Sequence, residues 1–238
     1  MTDLMYQMDS YLREFEARVT SSDPAGVDLD RTAFYPGGGG QPCDHGTLEA
    51  GGRTWTVVAV RKEAGRVLHE AGDDPPPAGT AVHGCLDWNR RHALMRVHTA
   101  LHILCGVIWR DYGAHVTGGN MDVLRARMDF EFESMHQDLV REIEARANRE
   151  VELAHEVHAR LLPREEALAI PDLIRTKVNL LPEGLREIRV VEIAGLDLQA
   201  DGGTHVANTR EVGSIRIVDY KSKGRINKRL EIALVQSA

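Results

Sequence analysis

The chain has 238 residues, 42% hydrophobic and 27% charged, with a formal net charge of −7. This composition excludes a disordered or collagenous chain. The length holds one large domain or two small ones, and no apolar run approaches the roughly 20 residues of a membrane-spanning helix. Cys43, Cys85 and Cys105 are odd in number and lack CxxC spacing, so a reducing, cytoplasmic setting is expected rather than a disulfide framework.

The acidic, amphipathic start, MTDLMYQMDSYLREFEARV, lacks the basic beginning and apolar middle of a secretory signal. The first part then reads as short strands separated by turns. Thr54–Val60 is β-branched and aromatic-rich, and Arg66–His69 repeats the pattern more briefly. Turn signals stand at Tyr35–Gly40, Gly51–Gly52 and Asp73–Gly79. Together they predict a small β-barrel. Asp87 is a candidate helix N-cap, and an apolar-periodic segment runs from Arg90 to Tyr112, which sets the expected domains at 1–88 and 89–238. Leu94, Val97, Leu101, Leu104 and Ile108 form the helical stripe, and His98 and His102 flank it, facing a cleft beside the core.

The second part mixes helix and strand. Glu133–Asn148 reads as a surface helix, Val151–Val157 alternates like a strand, and Pro163–Ala169 opens a short helix with proline in its first turn. Arg186–Ile193, Gly213–Val218 and Arg225–Val235 read as strands. Such mixed order predicts an α+β domain. Residues 1–90 hold 8 basic against 14 acidic side chains, and residues 91–238 hold 21 against 22, so the acidity sits in the first part. Lys221, Lys223, Arg225, Lys228 and Arg229 form a basic strip without an acid between them. It suits a phosphate backbone, or equally a solvated hairpin that protects an edge strand.

Two clusters carry chemistry. His98-Thr-Ala-Leu-His102 puts two imidazoles one helical turn apart, able to converge on one ion. Asp201-Gly-Gly-Thr-His205 has the same spacing but runs through two glycines, so it belongs to a tight turn. Three imidazoles and a carboxylate make a plausible zinc shell. Each cluster alone is equally an unrelated pair of histidines or an ordinary turn. Thr99 stands where a zinc protease has its general-base Glu, which excludes that class.

The glycine run has neither the GK[ST] of a Walker loop nor the spacing GxGxxG. Read longer, Thr32-Ala-Phe-Tyr-Pro-Gly-Gly-Gly-Gly-Gln41-Pro-Cys-Asp44-His-Gly46 resembles the TxFYPxxGGQPxDxG segment of alanyl-tRNA synthetase editing domains and of their free-standing relatives, the AlaX proteins. His98–His102 resembles the family's HTAxH, and Gln199–Val206 its CGGTHV. Thr117-Gly-Gly, Arg127–Phe130, and Ser222–Arg225 with Asn227–Arg229 resemble its remaining segments, in the same order. The length resembles the medium-sized class.

The resemblance implies an α+β chain: an N-terminal small β-barrel followed by an α/β editing domain of the alanyl/threonyl-tRNA synthetase type. It implies a hydrolase that deacylates tRNA(Ala) mischarged with serine, and often glycine, in trans, with no aminoacylation domain, no membrane and no obligate protein partner. One zinc ion per chain would be held by His98, His102, His205 and Asp201. The family position at 201 is usually cysteine, so three readings of Asp201 stand: direct ligand, outer-shell partner, or mark of a metal-poor site. Cys105, three residues after His102, is a further candidate thiolate or else a buried structural cysteine. Gly202 and Gly203 offer N–H groups to an oxyanion. Thr117 suits a contact with the serine hydroxyl, with Thr32 and Gln41 in the glycine motif that approaches the site. Arg90, Arg91 and Arg96, with Lys221, Lys223, Arg225, Lys228 and Arg229, are the candidate tRNA contacts. Two other readings remain: a tRNA-binding module with a decayed metal site, and a metallohydrolase of small esters.

Overall fold

A computed structural model describes residues 2–176, 181 and 184–235. The chain is mixed α/β, built mostly of sheet, and divides into two compact units, Met1–Ala93 and Leu94–Ala238.

The first unit contains β1 (Asp3–Leu4), β2 (Glu14–Asp23), β3 (Gly26–Leu29), β4 (Arg31–Thr32), β5 (Gly46–Ala50), β6 (Arg53–Val57), β7 (Ala59–Glu63), β8 (Arg66–Glu70) and β9 (Ala81–Leu86). β1 pairs in parallel with β4. The other seven form one sheet in the order β6-β5-β9-β2-β3-β8-β7. β2 is its spine. Phe15, Ala17 and Val19 alternate inward, and the strand pairs with β9 through its first half and β3 through its second. The expected small β-barrel is not confirmed: no ladder joins β6 to β7 among the described residues, so the sheet is not closed by pairing. The reason is local. Only Val58 separates these edge strands, and an antiparallel pair needs a hairpin loop of about two residues. The Val58 N–H donates to Glu70 O at 3.1 Å beside the β7–β8 ladder, and β6 and β7 follow one another along the chain instead of pairing. Val27, Leu29, Phe34, Leu48 and Val57 fill the interior.

α1 (Trp88–Tyr112) begins in the first unit and continues into the second. The second unit adds β10 (Val116–Asp122), β11 (Arg125–Glu131), α2 (Gln137–Glu152), β12 (Val157–Pro163), α3 (Arg164–Leu168), β13 (Glu187–Ile193), β14 (Asp197–Ala200), β15 (Ser214–Ser222) and β16 (Asn227–Val235). Two antiparallel sheets result, β10-β11-β16-β15 and β12-β13-β14. α1 does not show a single apolar stripe: Met95, Ile103, Cys105 and Val107 are buried along with Leu94, Val97, Leu101, Leu104 and Ile108, as in a helix covered all round.

α2 starts later than the sequence suggests, because His136 caps it by accepting the Leu139 N–H at 3.3 Å. The strand expected over Val151–Val157 is also corrected. Val140, Ile143, Ala147 and Val151 are buried at helical spacing, so Val151 and Glu152 complete α2. Ala154 then turns the chain at φ 56°, and β12 begins at Val157. α2 covers the edge strand β15. Asn148 accepts the Ile215 N–H at 2.9 Å and donates to the Ile215 carbonyl at 2.8 Å, which satisfies backbone groups that an open edge would expose.

Inside the first unit, His69 donates through Nδ1 to Val27 O at 3.0 Å and accepts the Thr32 hydroxyl at Nε2, 2.9 Å away. Burial pushes His69 down to about 4. Its neutral form therefore stabilises the fold above the unfolded value near 6.5, and this stability is lost as pH falls from there through 4. Urea unfolding followed between pH 7 and 4 is expected to show a loss approaching about 3 kcal/mol from this group, and His69→Gln is expected to flatten that dependence.

Candidate metal centre

α1 presents His98 and His102 one turn apart, and the turn after β14 presents Asp201 and His205. One donor atom from each of the four lies within 4.8 Å of the others. His205 Nε2 is 3.1 Å from Asp201 Oδ2, and His98 Nε2 is 3.5 Å from Asp201 Oδ1. The imidazole centroids are 4.2 to 5.2 Å apart. All three histidines are 5% exposed, so the donors converge inside the second unit and not on its surface.

Such burial is costly for polar groups unless each is held. Asp197 Oδ2 takes the Nδ1 side of His102 at 3.0 Å, and Thr99 Oγ1 meets Nδ1 of His205 at 3.1 Å. Nδ1–H donation to these oxygens leaves Nε2 of both rings for the cluster. Arg189, 6% exposed, donates to the Asp201 and Gly203 carbonyls at 3.1 and 2.8 Å and so fixes the turn. Asp201 Oδ2 accepts the Gly203 N–H at 2.6 Å. Gly106 of α1 lets β14 come close: a Cβ there would stand 2.9 Å from Leu196 and 3.1 Å from Asp197 Cβ.

Electrostatics put His98, His205 and Asp201 in the forms a cation needs. Burial, outweighing the pull of Asp201, pushes His98 down to about 4. Burial and the neighbouring His98 hold His205 well below its usual value. Burial would raise Asp201, but His98 and His205 outweigh it and keep the carboxyl well below the usual range. Burial also opposes charge on His102, where the Asp197 hydrogen bond and charge prevail and raise it. Neutral His98 and His205 beside an ionised Asp201 fit a divalent cation such as zinc, and His102 joins them by giving up its Nε2 proton while Nδ1 stays hydrogen-bonded to Asp197. Cys105 is not in the group, and burial pushes its thiol up, away from the thiolate. Among the described residues these four form the one such group.

The other expected residues fall into different places. Gly202 is exposed with open space around its Cα, whereas the Gly203 N–H is already given to Asp201. The Thr117 hydroxyl, on a bulge of β10, donates to Asn227 Oδ1 at 2.9 Å. In the first unit, Gly37 to Gly40 all have positive φ, 77°, 133°, 58° and 89°, a path that side-chain-bearing residues resist. Gln41 closes this loop by exchanging backbone hydrogen bonds with Gly38 and is itself buried. Thr32 is fully buried, donating to His69 and accepting the Phe34 N–H at 3.1 Å.

Arg91 is a correction. It is 0% exposed, its guanidinium is bound to Asp44 through Nε at 2.9 and 3.0 Å and through Nη2, and it also donates to Ser10 O and Ala33 O. Buried in this way, the guanidinium is not open to a phosphate. Asp44 Oδ2 also accepts the Tyr35 N–H at 2.6 Å, so the pair anchors the glycine loop to the start of α1. Arg90 donates to Cys43 O and Arg96 to Val212 O. In the basic strip, Lys228 is corrected too: it is 6% exposed and donates to Gly224 O and Arg225 O. Arg229 grips Asp129 with two bonds, and Lys221 pairs with Glu231 and Asp219. Lys223 and Arg225 have exposed side chains at the turn. Sequence reasoning missed Asp197, Arg189 and Gly106, which lie outside every motif.

The fold and site define a synthetase-type editing domain. Residues 188–231 match the model described as threonyl and alanyl tRNA synthetase second additional domain, and residues 6–90 match that of tRNA synthetases class II (A). The chain is 38% identical to the alanyl-tRNA editing protein AlaX-M of Methanosarcina barkeri, over 99% of this chain and 100% of that protein. It is 40% identical to that of Saccharolobus solfataricus, over 97% and 98%. An alanine–tRNA ligase of Pyrobaculum aerophilum is 41% identical over 90% of this chain but only 25% of the ligase. The chain belongs to the AlaX-M family of alanyl-tRNA editing proteins.

Because Asp44 and Arg91 are both buried, removing one partner strands a charge. Arg91→Met is expected to cost about 3–5 kcal/mol in urea unfolding, and the double variant with Asp44→Leu is expected to recover part of the loss.

Proposed function

We propose that this protein is a trans-acting hydrolase that deacylates tRNA(Ala) mischarged with serine, and also with glycine, in the cytoplasm. The observation that carries this reading is the convergence of His98, His102, Asp201 and His205, buried and oriented, in a member of the AlaX-M family. Those four residues would hold one zinc ion, which when bound would supply Lewis-acid polarisation of the ester or of an attacking water.

The remaining work falls to the chain's own groups. An aminoacyl ester is already activated, so positioning and exclusion of bulk water supply much of what hydrolysis needs. The exposed Gly202 N–H is the better oxyanion donor of the two glycines. Gly203 serves only if Asp201 releases it, since its N–H is bound at 2.6 Å. Serine differs from alanine by one hydroxyl. A site built to hydrogen-bond that hydroxyl rejects a substrate lacking it by up to about 10⁴–10⁵. Thr117 is the candidate for that contact, its hydroxyl preset by Asn227. Thr32 and Gln41 act as positioning residues that hold the glycine loop in shape.

For the tRNA, Lys223, Arg225 and Arg90 are the candidate phosphate contacts. Lys221 and Arg229 contribute less, because each is already paired with carboxylates. Neutralising Lys223 and Arg225 is expected to raise KM and to lower the salt slope of tRNA binding by about one for each phosphate left without its cation; an unchanged slope would remove them from the interface.

The direct test is deacylation of Ser-tRNA(Ala) and Ala-tRNA(Ala) by the purified protein, with and without chelator, beside Asp201→Ala. Loss of serine alone, abolished by chelation and reduced at least about 100-fold by the substitution, is expected from a ligand lost at a catalytic centre. Turnover indifferent to chelator would remove the metal from the mechanism. No turnover of either tRNA would remove the hydrolase.

A further inference from the structure

Asp197 and Arg175 form an incomplete pair beside the metal centre. Asp197 is 4% exposed, and its Oδ2 takes both His102 Nδ1 at 3.0 Å and the Gln199 amide at 2.7 Å. Its other oxygen, Oδ1, is buried without a hydrogen-bond partner among the described residues. The Arg175 guanidinium stands across a gap, with Nη2 at 3.8 Å from Oδ1. Arg175 Nη1 is likewise buried without a partner among the described residues. Its side chain is only 10% exposed, lies 4.9 Å over the Trp109 ring, and donates through Nε to Asp172 O at 2.9 Å. An orphaned acceptor and an orphaned donor in one buried neighbourhood are rare in folded proteins and mark a constraint on something nearby. What lies nearby is His102.

We propose that Asp197 and Arg175 are positioning residues for the metal centre. Asp197 fixes the His102 ring and its Nδ1–H tautomer, and Arg175 sets a positive charge opposite the far end of the Asp197 carboxylate, which favours the orientation that keeps Oδ2 on His102. The guanidinium, stacked on Trp109 and tethered to Asp172, is aligned toward Oδ1 but has not closed on it. The opposing guanidinium, 3.8 Å from Oδ1, places a cation beside a carboxylate that would otherwise be buried alone. Outer-shell carboxylates that orient ligating histidines commonly contribute 10- to 100-fold to metal affinity. This inference rests on the zinc reading above and adds residues that neither sequence motif contains.

The test is metal affinity, measured by chelator competition with Zn²⁺ and by the visible spectrum of the Co²⁺-loaded full chain, with far-UV circular dichroism as a check on folding. Asp197→Asn keeps shape and an acceptor but removes the charge, and is expected to weaken Zn²⁺ binding 10- to 100-fold and shift the Co²⁺ spectrum. Arg175→Met preserves packing on Trp109 and is expected to weaken binding several-fold, with Arg175→Lys recovering part of it. If Asp197→Asn does not fold, the Arg175 pair of variants decides alone. Folded variants that bind Zn²⁺ as tightly as the wild type would overturn the positioning role while leaving the metal centre standing. A wild-type chain that takes up no Zn²⁺ would overturn both, and the two failures are told apart by the wild-type titration.

Discussion

Asp201 meets His98 and His205 at 3.5 and 3.1 Å inside an interior that excludes most water, and the second unit is organised around keeping that contact stable. Three imidazoles and a carboxylate cannot be buried bare. The chain answers with a helix covered on all sides, a glycine in it that admits β14, and a threonine between the two histidines that reaches His205. Arg189 crosses from β13 to hold the turn by its carbonyls, so the side chains of Asp201 and His205 stay directed inward. These devices sit on α1 and β13 and act on a turn that follows β14. The centre is therefore a property of the packed unit, not of either motif.

That explains which parts were legible in the sequence. The helix-spaced pair His98 and His102 and the glycine turn with Asp201 and His205 are local patterns, and local patterns survive folding. Thr54–Val57, with period two, and Glu187–Ile193, a short run rich in Ile and Val, were readable for the same reason. Val151–Val157 was not, because its alternation coincides with the last inward position of α2, and burial against the unit decides between two periods that both fit. Whether the first sheet closes was not readable either, because only Val58 separates its two edge strands, β6 and β7, in the chain. Asp197 and Arg189 lie outside every local pattern, and only the packed strands bring them to His102 and the turn.

Charge was the least legible property. Arg91 and Lys223 look alike as basic residues in the sequence, yet one is sealed against Asp44 and the other stands at an exposed turn. A sequence-level basic patch counts both. The structure divides them by whether their N–H groups are already engaged. Of the strip from Lys221 to Arg229, Lys228 and Arg229 are occupied in holding the hairpin and β11 together. The net positive field the strip offers to a polyanion is smaller than its composition suggests.

The aspartate at position 201 changes what holds the turn. A thiolate offers one soft atom and accepts hydrogen bonds weakly. A carboxylate offers two oxygens, and here they divide the labour: Oδ2 accepts the Gly203 N–H at 2.6 Å and faces His205, while Oδ1 faces His98. The hydrogen bond to Gly203 is the kind a short acidic side chain makes to its own backbone two residues on. It shapes the turn without help from any cation. Carboxylate oxygen is a harder donor than sulfur and binds zinc less strongly. Where the resemblance to the family's CGGTHV sets a cysteine, the aspartate holds the turn through the protein's own hydrogen bond to Gly203, so the shape of the turn does not depend on a metal–ligand bond.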